Sequence, residues 1–284
     1  MPTAHLNQID VYYELHGRGP RLLVFNGSGA TIAGSKPMIE KLVASFEVLI
    51  LDQRCLGRST VTTSTPTMAG YAADGAALLD HVGWASARVF GISFGGMVAQ
   101  ELAVTWPERV QRLALLCTSP GGAGGSSYPL HTVASLPVEE QEPLRLRLAD
   151  ARYNAEFLAA HPFDQRLVEL AAAGRAAPKS AEQLRGEMLQ LEARSHHDVW
   201  GRLGAITCPT LVACGEFDAL APPANSEAIA SLILGSDLRR YQGGHAFVWQ
   251  DRRAWPDLVE FLSAEGEGGG ERGGGRRCRS GRAQ

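Results

Sequence analysis

The 284-residue chain is 45% hydrophobic and 20% charged, the balance of a globular protein with one large or two small domains rather than of a disordered chain. A formal net charge of −3 removes the basic field that supplies most nucleic-acid affinity, so no nucleic-acid partner is expected. The five cysteines, Cys55, Cys117, Cys208, Cys214 and Cys278, form neither a CxxC pair nor a zinc-ligand spacing, and their odd number argues against a disulfide framework.

Met1 to Leu15 lacks a basic segment followed by an apolar one, and no run of about 18 apolar residues follows anywhere, so neither a secretory leader nor a membrane span is expected and a cytoplasmic setting fits. In chain order, 9–15 and 22–25 read as strands, 36–45 as a helix with apolar residues every three or four positions, and 48–51 as a strand. A helix over 71–82, a buried strand over 88–92, a helix over 95–105 closed off by Pro107, and a strand over 110–117 continue the alternation. Such alternation predicts an α/β fold, a mostly parallel sheet with helices on both faces. The pattern breaks after Thr118: 119–127 is mostly Gly and Ser, and about 137–203 is charged and helical without a strand signal. It resumes with a strand at 209–214, a helix at 223–234, a strand at 238–241 and a closing helix at 254–262. The expected organisation is therefore a core of 1–118 and 206–263, an inserted helical cap of 119–205, and a Gly-, Glu- and Arg-rich tail, 264–284, with too little apolar surface to order itself.

The strongest chemical signal is Gly91-Ile92-Ser93-Phe94-Gly95, a G-x-S-x-G set between a predicted strand and a predicted helix. A serine on so sharp a turn needs neighbours without a Cβ two residues to either side, and the following helix aims its N-terminal N–H groups where negative charge develops. A serine hydroxyl is a weak nucleophile until a base takes its proton and an acid orients that base. Among eight histidines, only His245, in Gly243-Gly244-His245, follows a late strand and precedes the last helix. The acid is expected on a loop after a strand, between serine and histidine in sequence, which selects Asp218 in Gly215-Glu216-Phe217-Asp218 and leaves Glu216 as its rival.

Two oxyanion donors are expected, one from the residue after the nucleophile and one from a loop after an early strand. These are the backbone N–H groups of Phe94 and, within Phe25-Asn26-Gly27-Ser28-Gly29, of Ser28. Phe94, Met97, Phe247 and Trp249 flank the serine and the histidine and are the expected lining of a substrate pocket, although core packing accounts for Met97 equally well. His196-His197-Asp198 has metal-ligand residue types, but adjacent side chains on a helix point apart, so neither a metal nor a cofactor is expected. Asp52 and Arg54 read as loop anchors.

On these residues the chain resembles the α/β-hydrolase family from about 9 to 262. The turn Gly91 to Gly96, the order Ser93, Asp218, His245, and Asp52-Gln53-Arg54-Cys55-Leu56-Gly57-Arg58-Ser59 after a strand all match that family's landmarks. The resemblance implies a mostly parallel eight-stranded sheet and a Ser-Asp-His triad, with similarity to small carboxylesterases and 3-oxoadipate enol-lactonases. Two departures stand out: Asn26 where a histidine commonly precedes the oxyanion glycine, and Cys55 in place of a common glycine. Neither removes a backbone donor. Asp52-Gln53-Arg54 also looks like proline iminopeptidases, whose HGGPG-type loop is replaced here by Asn26-Gly27-Ser28-Gly29, and Ser93 stands where dehalogenases and epoxide hydrolases carry Asp.

The expected function is cofactor-independent hydrolysis of a small ester or lactone through an acyl-enzyme, with the small-molecule substrate as the expected partner. Cleavage of a C–C bond or an amide by the same triad, and a non-catalytic binding protein on this fold, remain open. A substrate panel and the reaction of Ser93 with a fluorophosphonate separate them.

Overall fold

A computed structural model describes residues 2–265. Its first half contains β1 (Thr3–Leu6), β2 (Ile9–His16), β3 (Arg21–Phe25), α1 (Lys36–Leu42), β4 (Glu47–Leu51), α2 (Met68–His81), β5 (Ala87–Ile92), α3 (Phe94–Thr105) and β6 (Val110–Leu116). The chain then passes through α4 (Val138–Ala149), α5 (Ala155–Ala160), α6 (Pro162–Ala176) and α7 (Ala181–Ser195) before returning as β7 (Thr210–Gly215), α8 (Pro223–Leu232), β8 (Asp237–Tyr241), α9 (Phe247–Gln250) and α10 (Ala254–Ser263). All eight strands join one sheet in the order β1-β2-β4-β3-β5-β6-β7-β8. The β1–β2 and β2–β4 pairs are antiparallel and the rest are parallel.

Side chains alternate between faces along a strand, and here both faces are covered. Leu23, Phe25, Leu49, Leu51, Val89 and Leu115 pack under α2, α3 and α8, whereas Leu22, Val24, Val48, Ile50, Phe90 and Leu116 pack under α1, α9 and α10. Two-sided burial is why these strands read as unbroken apolar runs rather than as alternating ones. α10 contributes a single stripe, Ala254, Leu258 and Leu262, spaced by four residues. The chain leaves β3 for β4 on one side and then crosses to β5 on the other, which opens a crevice at the carboxyl ends of β3 and β5.

Several boundaries differ from expectation. β1 was not foreseen because only Ala4 of its four residues is buried, and its position depends on pairing with β2. α1 stops at Leu42 instead of 45, where the Ser45 and Phe46 N–H groups both donate to the Leu42 carbonyl and turn the chain into β4. α2 starts at Met68, three residues earlier than expected, capped by the Thr67 hydroxyl accepting from the Gly70 N–H. The single turn α9 is too short to show a helical period. The expectation for the tail lies outside the described residues from 266 onward, as does Cys278. Among the described residues, no helix is long and apolar enough to cross a membrane.

α7 ends at Ser195, so His196 and His197 stand beyond the helix rather than on it. His196 is exposed and His197 is buried, so the two rings do not converge. Burial pushes the His197 imidazole down from 6.5 to about 4, against an opposing pull from Asp198 and with Arg202 and Arg194 adding to the depression. The unfolded chain takes up this proton near 6.5 and the folded chain only near 4, so the unfolded state binds more protons between those values. Stability should therefore decline as pH falls through that window, by up to about 3 kcal/mol. Urea unfolding at several pH values, compared between wild type and His197→Leu, measures this slope. An equal slope in the variant would remove His197 as its source.

Candidate active site

Ser93 sits between β5 and α3 with φ 55° and ψ −116°, a region that L-residues rarely occupy and that costs on the order of 1–3 kcal/mol. Its surroundings hold it there. The Ser93 N–H donates to the Leu116 carbonyl at 2.8 Å, the Thr118 hydroxyl donates to the Ser93 carbonyl at 2.8 Å, and the Gly96 N–H donates to the same carbonyl at 2.9 Å. A Cβ on Gly95 would run into the Phe25 carbonyl, and one on Gly91 would strike the Gly95 carbonyl, so this close crossing of β3, β5 and α3 admits only glycine at both positions.

The loops after β7 and β8 bring up the other two groups. His245 Nε2 lies 2.9 Å from Ser93 Oγ, and its Nδ1 lies 2.7 Å from Asp218 Oδ2. An ionised carboxylate only accepts, so the Nδ1 proton points at Asp218 and Nε2 is left to accept from the serine hydroxyl. Asp218 Oδ1 accepts from the Leu220 and Ala221 N–H groups, each at 2.8 Å, which fixes the buried carboxylate. The rival Glu216 is exposed and accepts from Gln242 Nε2 at 2.5 Å. The His245 backbone N–H donates to the Ala149 carbonyl at the end of α4, so the histidine loop is tied to the stretch between β6 and β7.

Ser28 lies on the loop after β3, beside Ser93: a Cβ on Gly27 would sit 3.6 Å from the Ser93 Cβ. Neither the Ser28 nor the Phe94 backbone N–H has an acceptor among the described residues. The loop is fixed from two sides, by Gln190 Oε1 of α7 accepting from the Gly29 N–H at 2.8 Å and by Gln53 Nε2 donating to the Asn26 carbonyl at 2.9 Å. Asn26 is buried, and the position where a histidine is common thus serves as an anchored backbone. Asp52 accepts from the Ile32 and Arg58 N–H groups at 2.7 and 2.9 Å, and Arg54 pairs with Asp74 at 2.6 Å, so both hold loops rather than face the serine.

Ser93 and His245 open onto a cavity of about 590 Å³. Trp249 lines it, as expected. Phe94, Met97 and Phe247 do not: Phe94 is packed edge-on against Tyr71 in the core, Phe247 stacks on Tyr241, and Met97 faces a different cavity. A residue next to the turn serine on the following helix points around the helix axis, so sequence proximity misdirected this part of the reading. The lining instead includes Met38, Leu130, Leu220 and, from α6, Phe163, Leu167 and Leu170. Phe163 and Leu170 are 55% and 57% exposed. The spacing of Phe163, Leu167 and Leu170, four and then three residues, places them on one face of α6, a pattern visible in the sequence that does not itself say what that face meets.

Cys117 Sγ also lies within 4.8 Å of the Asp218 and His245 ligand atoms. Burial, with the Asp218 charge adding to it, pushes this thiol well above its ordinary value, whereas a metal requires the thiolate. Asp218 and His245 are already engaged with each other, so these donors do not fit a metal ion.

A family model described as alpha/beta hydrolase fold matches residues 20–251. The chain is 30% identical over 247 residues to the poly(3-hydroxyalkanoate) depolymerase of Ectopseudomonas oleovorans, covering 86% of this chain and 84% of that protein. It is 27% identical over 262 residues to the 2-hydroxy-6-oxononadienedioate/2-hydroxy-6-oxononatrienedioate hydrolase of Klebsiella pneumoniae, covering 88% and 85%. The crystal structure of the enol-lactonase from Burkholderia xenovorans LB400 matches with a TM-score of 0.75 at 21% identity, covering 93% of this chain and 100% of that one. With its sheet order, its strained serine turn and a family match across most of its length, the chain belongs to the alpha/beta hydrolase fold family.

Proposed function

We propose that the protein hydrolyses a small neutral carboxylic ester or lactone through an acyl-enzyme. The observation that supports this reading best is the hydrogen-bonded chain Asp218–His245–Ser93 ending in a cavity whose lining contains no Lys, Arg, Asp or Glu. Ser93 Oγ attacks the carbonyl carbon as His245 Nε2 takes its proton, and the Ser28 and Phe94 N–H groups receive the oxyanion. The imidazolium, steadied by Asp218, returns the proton to the leaving alkoxide. Water then attacks the acyl-enzyme by the same route, releasing the acid and restoring Ser93. Residues 119–205 act as the cap that shapes the pocket, supplying Leu130, Phe163, Leu167 and Leu170 to its wall.

An uncharged, apolar wall favours neutral acyl compounds, because a carboxylate buried there would have no cation to pair with. A panel of p-nitrophenyl esters of increasing chain length, simple lactones, a prolyl amide and a dianionic C–C substrate tests this. kcat/KM should be at least about a hundredfold higher for the best neutral ester or lactone than for the dianion, given what an unpaired buried charge costs, and higher than for the amide, whose amine is a poorer leaving group than an alkoxide. A preference for either of the latter would overturn the reading.

Gln190 is a positioning residue in this scheme, since it holds the Ser28 loop through Gly29. Gln190→Leu should lower kcat about tenfold, the worth of one hydrogen bond at a preorganised loop, with KM little changed. Gln190→Glu keeps the acceptor oxygen and should recover most of the rate. Equal rates in both variants would mean that the loop holds its geometry without α7.

A further inference from the structure

A second cavity, of about 220 Å³, shares no lining residue with the first. The segment between β6 and α4 contributes to both: Leu130 lines the Ser93 cavity, while its neighbours Pro129 and His131 line the second. The second cavity is lined by Met97, Ser119, Gly121, Ser126, Ser127, Pro129, His131, Arg194, Ser195 and His197, a set with one cation, two imidazoles, four hydroxyls and no carboxylate.

Arg194 is the unusual member. It comes from the inward face of α7, is only 6% exposed, and has no carboxylate partner among the described residues. Two of its N–H groups are used, toward the Tyr128 carbonyl at 2.9 Å and the Ser127 hydroxyl at 2.6 Å, and its Nε is buried without a partner. Removing a guanidinium from water without an opposing charge is costly, and its charged form is correspondingly disfavoured, with the side chain pushed down to about 10. Nδ1 of His131 and the ring nitrogens of His197 are also buried without a side-chain partner, and because a neutral imidazole carries a single N–H, each ring offers at most one donor. The Ser127 and Ser119 hydroxyls each accept a hydrogen bond, from Arg194 and from Asn225 Nδ2 at 2.7 Å, which leaves their own protons to donate.

A buried guanidinium with an unpartnered N–H, beside hydroxyl and imidazole groups that can donate and in a cavity lined by no carboxylate, is the complement of an anion. We infer that this cavity is a binding site for a small carboxylate, held by Arg194 and by the imidazole and hydroxyl groups of His131, His197 and Ser127. A single cation matches a monoanion, and the volume suits a short acid rather than a long chain. The site is separate from the one where Ser93 and His245 meet, so the inference stands whether or not Ser93 is the nucleophile.

The probe is sodium acetate, titrated by calorimetry at constant ionic strength with chloride as the balancing anion. Wild type and Ser93→Ala should bind it alike, and Arg194→Met should weaken binding about tenfold or more, the worth of a charge-assisted bond. His131→Leu should weaken it several-fold, and it serves as the test if Arg194→Met does not fold. In a crystal soaked with acetate, a carboxylate should lie within hydrogen-bond distance of Arg194 Nε. Acetate found only beside Ser93, equal affinity in wild type and His131→Leu, or tighter binding of inorganic phosphate than of acetate would overturn the assignment.

Discussion

Replacing Ser93 with alanine should abolish ester turnover, lowering kcat by about 10⁵- to 10⁶-fold, the scale seen when the nucleophile of a serine triad is removed. The fold should survive. The turn at 93 is held by backbone hydrogen bonds to Leu116 and Gly96 and by the Thr118 hydroxyl, none of which uses the Ser93 side chain. Alanine occupies the same strained φ and ψ as serine, so the melting temperature should shift by no more than a few degrees. A folded Ser93→Ala enzyme with ordinary turnover would place the nucleophile elsewhere. His245→Ala should be nearly as severe, and the double variant no slower than the worse single one, because the two act as a unit. A double variant slower by the product of both effects would contradict that coupling.

Asp218→Asn should lower kcat by about 10⁴-fold, and the reason is directional. Oδ1 already accepts from the Leu220 and Ala221 N–H groups, so the asparagine oxygen must take that side and its NH₂ the side toward His245. There the NH₂ faces Nδ1 as donor against donor. The imidazole responds by moving its proton to Nε2, which then faces the Ser93 hydroxyl as a donor and cannot accept its proton. Asp218→Ala, which leaves space without imposing the wrong tautomer, should lose less. Retained activity in Asp218→Asn together with a loss in Glu216→Gln would reassign the acid, against the 2.7 Å contact between Asp218 and His245.

The serine turn was readable because its requirements are local: a strand, a helix and two residues without a Cβ within five positions. The same holds for the parallel sheet, since burying both faces forces long apolar runs that stand out without any knowledge of neighbours. β1 and α9 escaped notice for the opposite reason, being four residues each and stabilised by what they pack on rather than by their own pattern.

Sequence alone thus determined the alternation of elements and pointed to the loops that carry Ser93, Asp218 and His245, because strand ends and helix starts are set by short-range chemistry. Only the tertiary structure supplied the 2.7 Å contact of Asp218 with His245, 27 residues on, while turning the rival Glu216 outward to Gln242, and only it showed Gln190 reaching 161 residues back to hold the Gly29 loop. It also turned Phe94, Met97 and Phe247 away from the Ser93 cavity and put α6 there in their stead. Which face of a helix a cavity meets depends on how layers pack across the whole chain, and no window of neighbouring residues carries that information.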